Sequence, residues 1–489
     1  MQVLPTLEDY MDLAARYPVV PLSVRLLADR ETAVSAYEKL VGEAPGFLFE
    51  SVEGGDRWAR WSFLGWDPVF TLVSRDGVTV VEGHQVDLTG GNPLEVLEDL
   101  LARFATPDLP GLPPLHSGAV GYLGYDCVRY VEDLPDRPVD DRGIPEMVWH
   151  FVGSLAALDR FDQTITLVRN VFTGDEPAVE YAAAVRVLEE AATRLSSGRS
   201  YRTRPPPTPT KTGPPPRSTM GRADFEQAVE KAKRYIEHGD AFQIVLSQRL
   251  EIPFVGDSFA VYRTLRLLNP SPYLFYVKHA DVTVVGSSPE LLTRVRDGRV
   301  FSRPIAGTRR RGADDQEDAA LEAELLADPK ERAEHIMLVD LARNDLGRVA
   351  EFGSVVVDDL MVIERYSHVM HIVSGVSGRL RSGISPIDVV RAVFPHGTVS
   401  GAPKVRAMEI IDELEPVARG PYAGAVGYID FSGNIDTAIC LRTVVITAGK
   451  AWVQAGAGLV ADSDAAAEYA ETMDKAAAAL AAIEGAAGV

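Results

Sequence analysis

Alternating apolar and polar residues predict a β-rich N-terminal part over residues 1–196. The runs FLFESV, ARWSFLGW and GAVGYLGYDCVRYVE are rich in the aromatic and β-branched residues that strands favour. Asp76-Gly77 follows one apolar run and precedes another, which predicts a two-residue hairpin turn. Apolar positions at helical spacing predict three helices, at 31–42, 93–104 and 176–196.

The C-terminal part, residues 219–489, mixes both periodicities. It begins with the amphipathic helix pattern ADFEQAVEKAKRYIEHGD and continues with strands that turn at Asp297-Gly298. Residues 384–415 predict two helices around a Gly-rich loop, and residues 423–457 predict a meander of strands. Strands and helices do not alternate regularly as in βαβ folds, so the pattern favours an α+β fold with large antiparallel sheets.

A Pro-rich, basic segment, SGRSYRTRPPPTPTKTGPPPRS, separates the two parts at residues 197–218. Its composition predicts an extended linker, with a proline-motif ligand for a partner domain as the alternative. The pentapeptide GAVGY occurs on both sides of it, at 118–122 and 424–428. This repeat is either chance or the sign of two equivalent strands in paired sheets, because its spacing is not that of a solenoid.

Composition then narrows the class of protein. The 489 residues are 46% hydrophobic and 24% charged, as in globular proteins, and the net charge of −21 argues against nucleic acid or an anionic membrane as a partner. The chain has no apolar run of the roughly 18 residues that a membrane helix needs. The N-terminus lacks the basic region of a signal peptide, and Cys127 and Cys440 give no disulfide framework. A cytoplasmic protein is therefore expected.

Two pairs of carboxylates are the strongest chemical feature of the last third of the chain. Glu331 and Glu334 form the first pair. Glu468 and Glu471 form the second, and both pairs have the i, i+3 spacing that places two side chains on one helix face. Four converging carboxylates need a cation, and an all-oxygen set without His or Cys suits Mg²⁺. Spacing alone leaves a second interpretation open, two solvated acidic helix faces.

Several loops have features that bind small anions. PHGTVSGAPKVRAMEII leads a Gly-rich loop into a helix with Pro403 near its first turn, where free main-chain N–H groups bind carboxylates. Gly456 and Gly458 in QAGAGL allow a ligand to approach the backbone, and PIAGTR has the same character. Arg442, predicted within a strand, could hold a carboxylate through two nitrogens. Each feature alone is more typical of a plain turn or a surface Arg, but together they indicate a site for a small polyanion bound with Mg²⁺.

The order of motifs in the C-terminal part resembles that of the chorismate-utilising enzymes. These motifs, within about 220–489, are PIAGT, EHIMLVDLARNDLGRV, HGTVSGAPK, GAVGYIDFSGNIDTAICLRT, QAGAG and AETMDK. FLFES, NPSPYLFY and GAVGYLGYDCVRY extend the resemblance, since they are similar to segments of anthranilate synthase large subunits. The resemblance implies a two-layer arrangement of large antiparallel sheets with helices packed outside, and an active site between the sheets.

The resemblance also implies roles for individual residues. The residues matched to Mg²⁺ are Glu334 and Glu471, with Glu331 and Glu468 as neighbours that act through water. Those matched to catalysis are Glu290 as the acid for the C4 hydroxyl, His371 for pyruvate loss, Gln243 and Thr398. Those matched to the chorismate carboxylates are Gly307, Thr308, Tyr422, Arg442, Gly456, Ala457 and Gly458, to which Lys475 adds charge. His368 and His396 have no such match and are expected to be structural.

Two positions distinguish members of the family. Ala306 occurs where aminodeoxychorismate synthases typically have a nucleophilic Lys, and Gln243 occurs where isochorismate and salicylate synthases have a Lys that activates water. The resemblance therefore favours free ammonia as the nucleophile and an anthranilate synthase large subunit, a lyase of tryptophan biosynthesis. An aminodeoxychorismate synthase without the usual Lys and a non-catalytic homologue remain as alternatives.

A partner and an inhibitor follow from the same resemblance. Neither Cys127 nor Cys440 lies in the G-x-C-x-G turn of a glutaminase, so ammonia would come from a separate glutamine amidotransferase subunit (component II), in a complex of two large and two small subunits. The resemblance implies feedback inhibition by tryptophan at a separate site. Its expected residues are Glu50 and Ser51 at the ammonium group, Pro272 and Tyr273 at the indole, and Leu274 where Met is common.

Overall fold

Two large antiparallel β-sheets form the centre of the computed structural model, which describes residues 1–51, 60–198, 215–366, 369–447 and 449–486. The strands of this part of the chain are β1 (Val19–Leu27), β2 (Gly46–Glu50), β3 (Trp61–Trp66), β4 (Phe70–Arg75), β5 (Val78–Gly83), β6 (Ala119–Leu123), β7 (Met147–Phe151), β8 (Ser154–Asp159), β9 (Thr164–Phe172), β10 (Arg217–Ser218), β11 (Gln243–Pro253), β12 (Tyr273–Lys278), β13 (Thr283–Ser288), β14 (Leu291–Arg296), β15 (Arg299–Ser302), β16 (Ile305–Arg310), β17 (Val356–Arg365), β18 (Val369–Arg379), β19 (Gly401–Ala402), β20 (Ala425–Ile429), β21 (Ile435–Ile439), β22 (Thr443–Thr447) and β23 (Lys450–Leu459).

The helices are amphipathic or packed against other helices, and several begin at a side chain that caps their first turn. They are α1 (Leu7–Ala14), α2 (Ala33–Leu40), α3 (Pro93–Arg103), α4 (Pro177–Ser196), α5 (Arg222–Glu237), α6 (Ser258–Leu268), α7 (Asp315–Ala327), α8 (Pro329–Gly347), α9 (Pro386–Val393), α10 (Lys404–Leu414) and α11 (Ala465–Ala486), with 3₁₀ turns at Tyr125–Tyr130 and Gly397–Val399. The start of α3 shows how such a cap fixes the first residue of a helix. Asn92 accepts hydrogen bonds from the N–H groups of Leu94 and Glu95, and Pro93 fits the first turn.

Both sheets contain strands from before and after the predicted linker. The first sheet has the order β1-β9-β8-β3-β2-β12-β13-β22-β23-β11-β10, with β19 paired to β11. The second has the order β16-β18-β15-β14-β21-β20-β6-β7-β4-β5, with β17 paired to β18. The halves of the chain therefore join twice, where β2 pairs with β12 and where β6 pairs with β20. The division at 197–218 remains a prediction, and residues 199–214 lie outside the described part.

The repeated pentapeptide forms the second of these junctions. Its copies lie on β6 and β20, which are neighbours in one sheet, with Gly121 directly opposite Gly427. A Cβ at Gly121 would lie 1.8 Å from the Val148 carbonyl oxygen, so no larger residue fits there. The repeat marks equivalent strands, but they pair within a sheet rather than across two sheets.

Apolar side chains fill the space between the sheets and the space under the helices. Alternation along β2 shows the division: Phe47 points into the layer between the sheets, and Leu48 points to the outer layer, where α2, α4, α6 and α11 cover the first sheet. Helices α3, α8 and α9 lie over the second sheet. This arrangement confirms the predicted α+β fold of two antiparallel layers with helices outside.

Several local predictions agree with the structure, and two were wrong. The run GAVGYLGYDCVRYVE is a strand only as far as Leu123 and continues as the 3₁₀ turn Tyr125–Tyr130. Residues 423–457 do not form one meander, because β20 and β21 lie in the second sheet and β22 and β23 in the first. The three N-terminal helices occur as α2, α3 and α4, and the two around the Gly-rich loop occur as α9 and α10. Asp76-Gly77 and Asp297-Gly298 form two-residue hairpins in which all four residues have positive φ, the requirement of a type I′ turn. Of the described helices, none is both long and apolar enough to cross a membrane.

Candidate active site

The first carboxylate pair lies on α8, which packs on β16 and β18 of the second sheet. Asp328 caps this helix by accepting hydrogen bonds from the N–H groups of Lys330 and Glu331. Glu334 is half-buried, and its Oε1 accepts a hydrogen bond of 3.3 Å from Gln243 Nε2. Burial and the neighbouring Glu331 carboxylate raise the pKa of Glu334 above its ordinary value.

The second pair lies on α11, which packs on β23. Burial, and to a lesser extent the Glu471 carboxylate, raise the pKa of Glu468. Glu471 is exposed and forms an ion pair of 2.7 Å with Lys475 Nζ, which also donates a hydrogen bond of 3.1 Å to the Gly456 carbonyl. Lys475 thus links the carboxylate pair to the Gly-rich end of β23.

The two pairs belong to one electrostatic neighbourhood. The positive charges of Lys330, next to the first pair, and of Lys475, next to the second, act on both Glu334 and Glu468. In the described residues the carboxylates do not close into a group of three or more that could hold a metal ion by itself. Mg²⁺ keeps several waters and takes one or two carboxylates from the protein, so this donor set still fits Mg²⁺.

Gln243, one of the residues matched to catalysis, is buried at the start of β11. A Cβ at Gly458 would lie 2.7 Å from Gln243 Nε2, so the glycine makes room for this amide. While Nε2 donates to Glu334, Oε1 is buried and has no hydrogen-bond partner among the described residues. An unpaired buried acceptor is costly, and it is available to a small donor molecule.

The glycines of β23, Gly456 and Gly458, expose main-chain groups to the candidate site. The Gly456 N–H donates to the hydroxyl of Tyr422, and a Cβ at Gly456 would lie 2.8 Å from that oxygen. Gly456 and Gly458 lie on one face of the strand because side chains alternate. Ala457 points the other way, into a core with Leu246 and Ile410, so only its backbone can touch a ligand on the glycine face.

Gly307 forms a bulge in β16 that brings Thr308 and His371 together. Its φ is +66°, and a Cβ there would lie 3.2 Å from Glu331 Oε2. His371 Nδ1 lies 3.2 Å from the Gly307 carbonyl oxygen and 3.0 Å from Thr308 Oγ1. A carbonyl only accepts, so Nδ1 carries the proton and Nε2 keeps a lone pair. Burial lowers the pKa of His371, which keeps the ring neutral at pH 7.

Glu290 is a buried carboxyl at the turn between β13 and β14. Burial raises its pKa to about 8, although a hydrogen bond from the Thr398 side chain and the charge of Lys475 act in the opposite direction. Its Oε1 has no hydrogen-bond partner among the described residues and lies 3.5 Å from His396 Nδ1. Glu290 is therefore protonated at neutral pH and can give up a proton.

His396 has more contact with the site than the sequence indicated. Its Nδ1 lies 2.9 Å from Thr398 Oγ1 as well as next to Glu290, and burial lowers its pKa to about 3. A neutral ring beside a protonated carboxyl does not draw the proton away from Glu290. The position of His396 two residues before Thr398 in the same loop was the available signal. His368 lies outside the described residues.

Arg442 does not lie within a strand, and that prediction was wrong. It occupies the turn between β21 and β22, with φ of +47°. Its Nη1 donates to Asn269 Oδ1 at 3.3 Å, and its carbonyl accepts from the N–H of Ser287 at 3.3 Å. The expected role of this Arg as a ligand of a carboxylate stays a prediction.

A separate cavity of about 800 Å³ lies between the two sheets. All five residues expected at the inhibitor line it: Glu50, Ser51, Pro272, Tyr273 and Leu274. Of the described residues around it, none belongs to the predicted catalytic or metal set. The sheet opposite supplies charged residues, among them Arg294, which contacts both Asp436 and the Tyr273 hydroxyl.

Two of these five residues do not present their side chains to the cavity as expected. The Glu50 carboxylate accepts hydrogen bonds from Tyr262, Arg266 and Arg160, with distances of 2.6 to 3.2 Å, and its side chain is fully buried. Leu274 packs in the outer core. Both occupy strand positions that alternate with the inward-facing Phe49 and Phe275. The Glu50 carboxylate therefore does not face the cavity, as its expected contact with an ammonium group would require.

Comparisons with known proteins agree with this geometry. A family model described as chorismate binding enzyme matches residues 46–481. Anthranilate synthase component 1 of Acetivibrio thermocellus is 45% identical over 492 residues, which cover 98% of each chain. The crystal structure of anthranilate synthase component I from Streptococcus pneumoniae TIGR4 has a TM-score of 0.74 at 36% identity and covers 93% of this chain and 98% of that one. The menaquinone-specific isochorismate synthase from Escherichia coli shares the fold, with a TM-score of 0.72 at 20% identity over 98% of both chains.

Proposed function

Because the chain belongs to the family of chorismate-binding enzymes, we propose that it is the large subunit of an anthranilate synthase. The reaction takes chorismate and ammonia to anthranilate, pyruvate and water. The observation that carries the proposal is the neutral amide of Gln243, buried against Glu334 at the position where water-using relatives have Lys. An amide cannot deprotonate water, so the site suits a nucleophile that needs no activation.

The substrate carboxylates would meet the fixed donors on both sides of the site. Arg442, held in its turn beside Asn269, supplies a guanidinium that can bind one carboxylate through two nitrogens. Tyr422 and the main chain of Gly456 and Gly458, which are joined by the Gly456 N–H that donates to Tyr422, would bind the other carboxylate. Lys475 adds a positive charge beside Gly456, which balances part of the charge of a dianion.

Members of this family depend on Mg²⁺, and Glu334 and Glu471 would hold the ion directly, with Glu331 and Glu468 acting through water. The bound ion would neutralise the ring carboxylate and draw electron density from the ring as the nucleophile adds. Burial and the neighbouring carboxylates raise the pKa values of Glu334 and Glu468, because both make the negative charge unfavourable. A bound cation would stabilise that charge.

The amination step uses two side chains that each have one buried oxygen atom without a hydrogen-bond partner among the described residues. Gln243 Oε1 would accept a hydrogen bond from ammonia, which keeps its lone pair for C2 of the ring. Glu290, protonated because burial raises its pKa to about 8, would donate its proton to the C4 hydroxyl so that it leaves as water. Thr398 orients the acid through its hydrogen bond.

The second step removes pyruvate and makes the ring aromatic. A base must take the proton from C2 while the enolpyruvyl group leaves. His371 suits this role because the Gly307 carbonyl fixes the proton on Nδ1 and leaves Nε2 unprotonated. The Thr308 hydroxyl also contacts Nδ1 and so restricts rotation of the imidazole ring of His371.

Ammonia would come from a separate amidotransferase subunit, in a complex of two large and two small subunits in the cytoplasm. Both Cys residues are buried, and burial raises their pKa values, so neither is a reactive thiolate.

The isolated chain should make anthranilate from chorismate, Mg²⁺ and ammonium, but not from glutamine. Anthranilate fluorescence measures both reactions. The control is addition of a glutaminase subunit, which should make glutamine a substrate without changing the ammonium reaction. Anthranilate formed by the purified chain from glutamine alone would contradict the assignment.

Tryptophan would bind in the cavity between the sheets and inhibit from there. The segment that begins at Asn269 connects the two sites, because Asn269 contacts Arg442 and the same segment lines the cavity at Pro272 and Tyr273. A ligand that favours one position of this segment would favour one position of Arg442. The linkage is reciprocal, so chorismate should weaken the binding of tryptophan.

Ser51→Phe should abolish inhibition by tryptophan and keep the activity, because a ring at this position occupies the part of the cavity where the ammonium group is expected. The measurement is a tryptophan titration of ammonium-dependent turnover. Ser51→Ala is the size control: it leaves the volume free, so tryptophan should still inhibit, with an affinity lowered only by loss of the hydroxyl expected at the ammonium group. Equal inhibition of the Phe variant and the wild type would place the inhibitor elsewhere, and a wild type that tryptophan does not inhibit would remove the regulatory role.

A further inference from the structure

Arg419 is a buried arginine that none of the predicted roles uses. It is 1% exposed and lies between the end of α10 and Tyr422. Its Nε and Nη2 donate to the two carboxylate oxygens of Glu415 at 2.8 and 2.6 Å. Nη1 donates to the Val399 carbonyl and Nη2 to the Val245 carbonyl, both at 2.7 Å. One guanidinium therefore donates hydrogen bonds to acceptors on three separate segments of the chain.

Two of those segments carry residues of the site. Val399 directly follows Thr398, which hydrogen-bonds the acid Glu290. Val245 lies two residues after Gln243 on β11. The hydrogen bonds of Arg419 thus set the distance between the loop that orients the acid and the strand that presents the amide.

The same guanidinium reaches the substrate side through its faces and through Glu415. It stacks over the rings of Tyr125 and Tyr422, at 4.5 and 5.7 Å from their centroids. Glu415 Oε1 also accepts from the N–H and hydroxyl of Ser247, at 2.7 and 2.8 Å. Ser247 is the register partner of Gly456, whose N–H donates to Tyr422.

We propose that Arg419 is a positioning residue of this active site, which holds the Thr398 loop, the Gln243 strand and Tyr422 in register so that acid, nucleophile and chorismate meet. The proposal rests on the proposed function. A buried ion pair contributes little net stability compared with a well-packed apolar pair, so its value here is geometric. Only the planar fork of Arg can bind both oxygens of Glu415 and two carbonyls at once.

The test is a double-mutant cycle between Arg419→Lys and Thr398→Ala, with ammonium as the nitrogen source. Lys keeps the charge but cannot span Glu415 and both carbonyls. We expect Arg419→Lys alone to lower kcat by about 10²-fold, as a displacement of about 1 Å does, and to raise KM for chorismate. In the Thr398→Ala background the same change should lower kcat by clearly less than it does in the wild type, because the part of its effect that acts through Thr398 is already lost, while the parts that act through Gln243 and Tyr422 remain.

Arg129→Lys is the matched control. Arg129 is also largely buried, pairs with Asp412 and donates to the Leu134 carbonyl, but contacts none of the proposed site residues. Its effect on kcat should be small and should multiply with that of Thr398→Ala. Melting temperatures and circular dichroism spectra show whether each variant is folded. If Arg419 had only a structural role, Arg419→Lys would lower the melting temperature, and its effect on kcat would not depend on Thr398.

Three results would overturn the proposal. The first is a wild-type kcat for Arg419→Lys. The second is a double variant whose loss of kcat equals the product of the two single losses. The third is failure of both Arg419→Lys and Glu415→Gln to fold, which would mean that the ion pair of Arg419 and Glu415 is needed for folding. If only Arg419→Lys fails to fold, Glu415→Gln replaces it in the cycle with the same expectation. All values are ratios to the wild type, so a wild type that makes no anthranilate refutes the proposed function instead.

Discussion

Glu334→Gln should reduce anthranilate formation by about 10³-fold or more while the protein stays folded, because loss of one electrostatic contact at a reacting centre costs about this much. Glu334 is half-buried and receives a hydrogen bond from Gln243, so a Gln of the same shape fits its place. What the substitution removes is the negative charge that would hold Mg²⁺. Glu471→Gln should have a similar effect from the opposite helix.

Metal removal provides the independent measurement. Excess EDTA should abolish turnover of the wild type, and Mg²⁺ in excess of the chelator should restore it. Asp474→Asn is the control, because Asp474 is an exposed acid on the same helix as Glu471 and its loss should leave the rate within about 2-fold. Wild-type rates in Glu334→Gln or in EDTA would remove the metal assignment.

His371→Ala should divide the reaction into its two steps. Amination depends on Glu290 and Gln243, which His371 does not contact, so chorismate should still be consumed. Removal of the base should then slow pyruvate loss by about 10²- to 10⁴-fold, and an aminated, non-aromatic intermediate should accumulate. Liquid chromatography with mass detection would identify it, and lactate dehydrogenase would measure the missing pyruvate.

The control for His371 is the hydroxyl group beside its ring. Thr308→Val keeps the shape of the side chain but removes the hydroxyl beside Nδ1, while the Gly307 carbonyl still fixes the proton. This variant should slow the second step less than His371→Ala does. If His371→Ala leaves chorismate unconsumed, the histidine acts before pyruvate loss or supports the fold.

Local features of the structure could be predicted from the sequence because their causes are local. The turns at Asp76 and Asp297 follow from Asx-Gly pairs that accept positive φ, and α3 follows from the Asn-Pro start that caps it. The pairing of β6 with β20 could not be predicted, because these strands are about 300 residues apart and nothing local selects a partner. The GAVGY repeat was the one available indication.

The residues of the candidate site were predicted from family motifs rather than from hydrophobic periodicity alone. Two residues, Arg442 and Glu50, lie in the structure where the prediction did not place them. Arg442 follows an apolar run and precedes another, so periodicity places it in a strand, whereas only the backbone shows its turn conformation. Glu50 was expected to face the inhibitor, but it alternates with Phe47 and Phe49 on β2 and faces α6 instead. That outcome was predictable, since period-2 alternation puts Phe49 and Glu50 on opposite faces.

The most direct test of the proposed reaction is an isotope experiment on the wild-type chain with chorismate, Mg²⁺ and ¹⁵N-ammonium in ¹⁸O-water. We expect anthranilate that carries ¹⁵N and no ¹⁸O in its ring substituents, with one pyruvate released for each molecule formed. Mass spectrometry of the products and an enzymatic pyruvate assay measure both. An ¹⁸O-labelled hydroxy product would mean that Gln243 does not exclude water as the nucleophile. A ¹⁵N-labelled product aminated at C4, without pyruvate, would identify an aminodeoxychorismate synthase and contradict the proposed function.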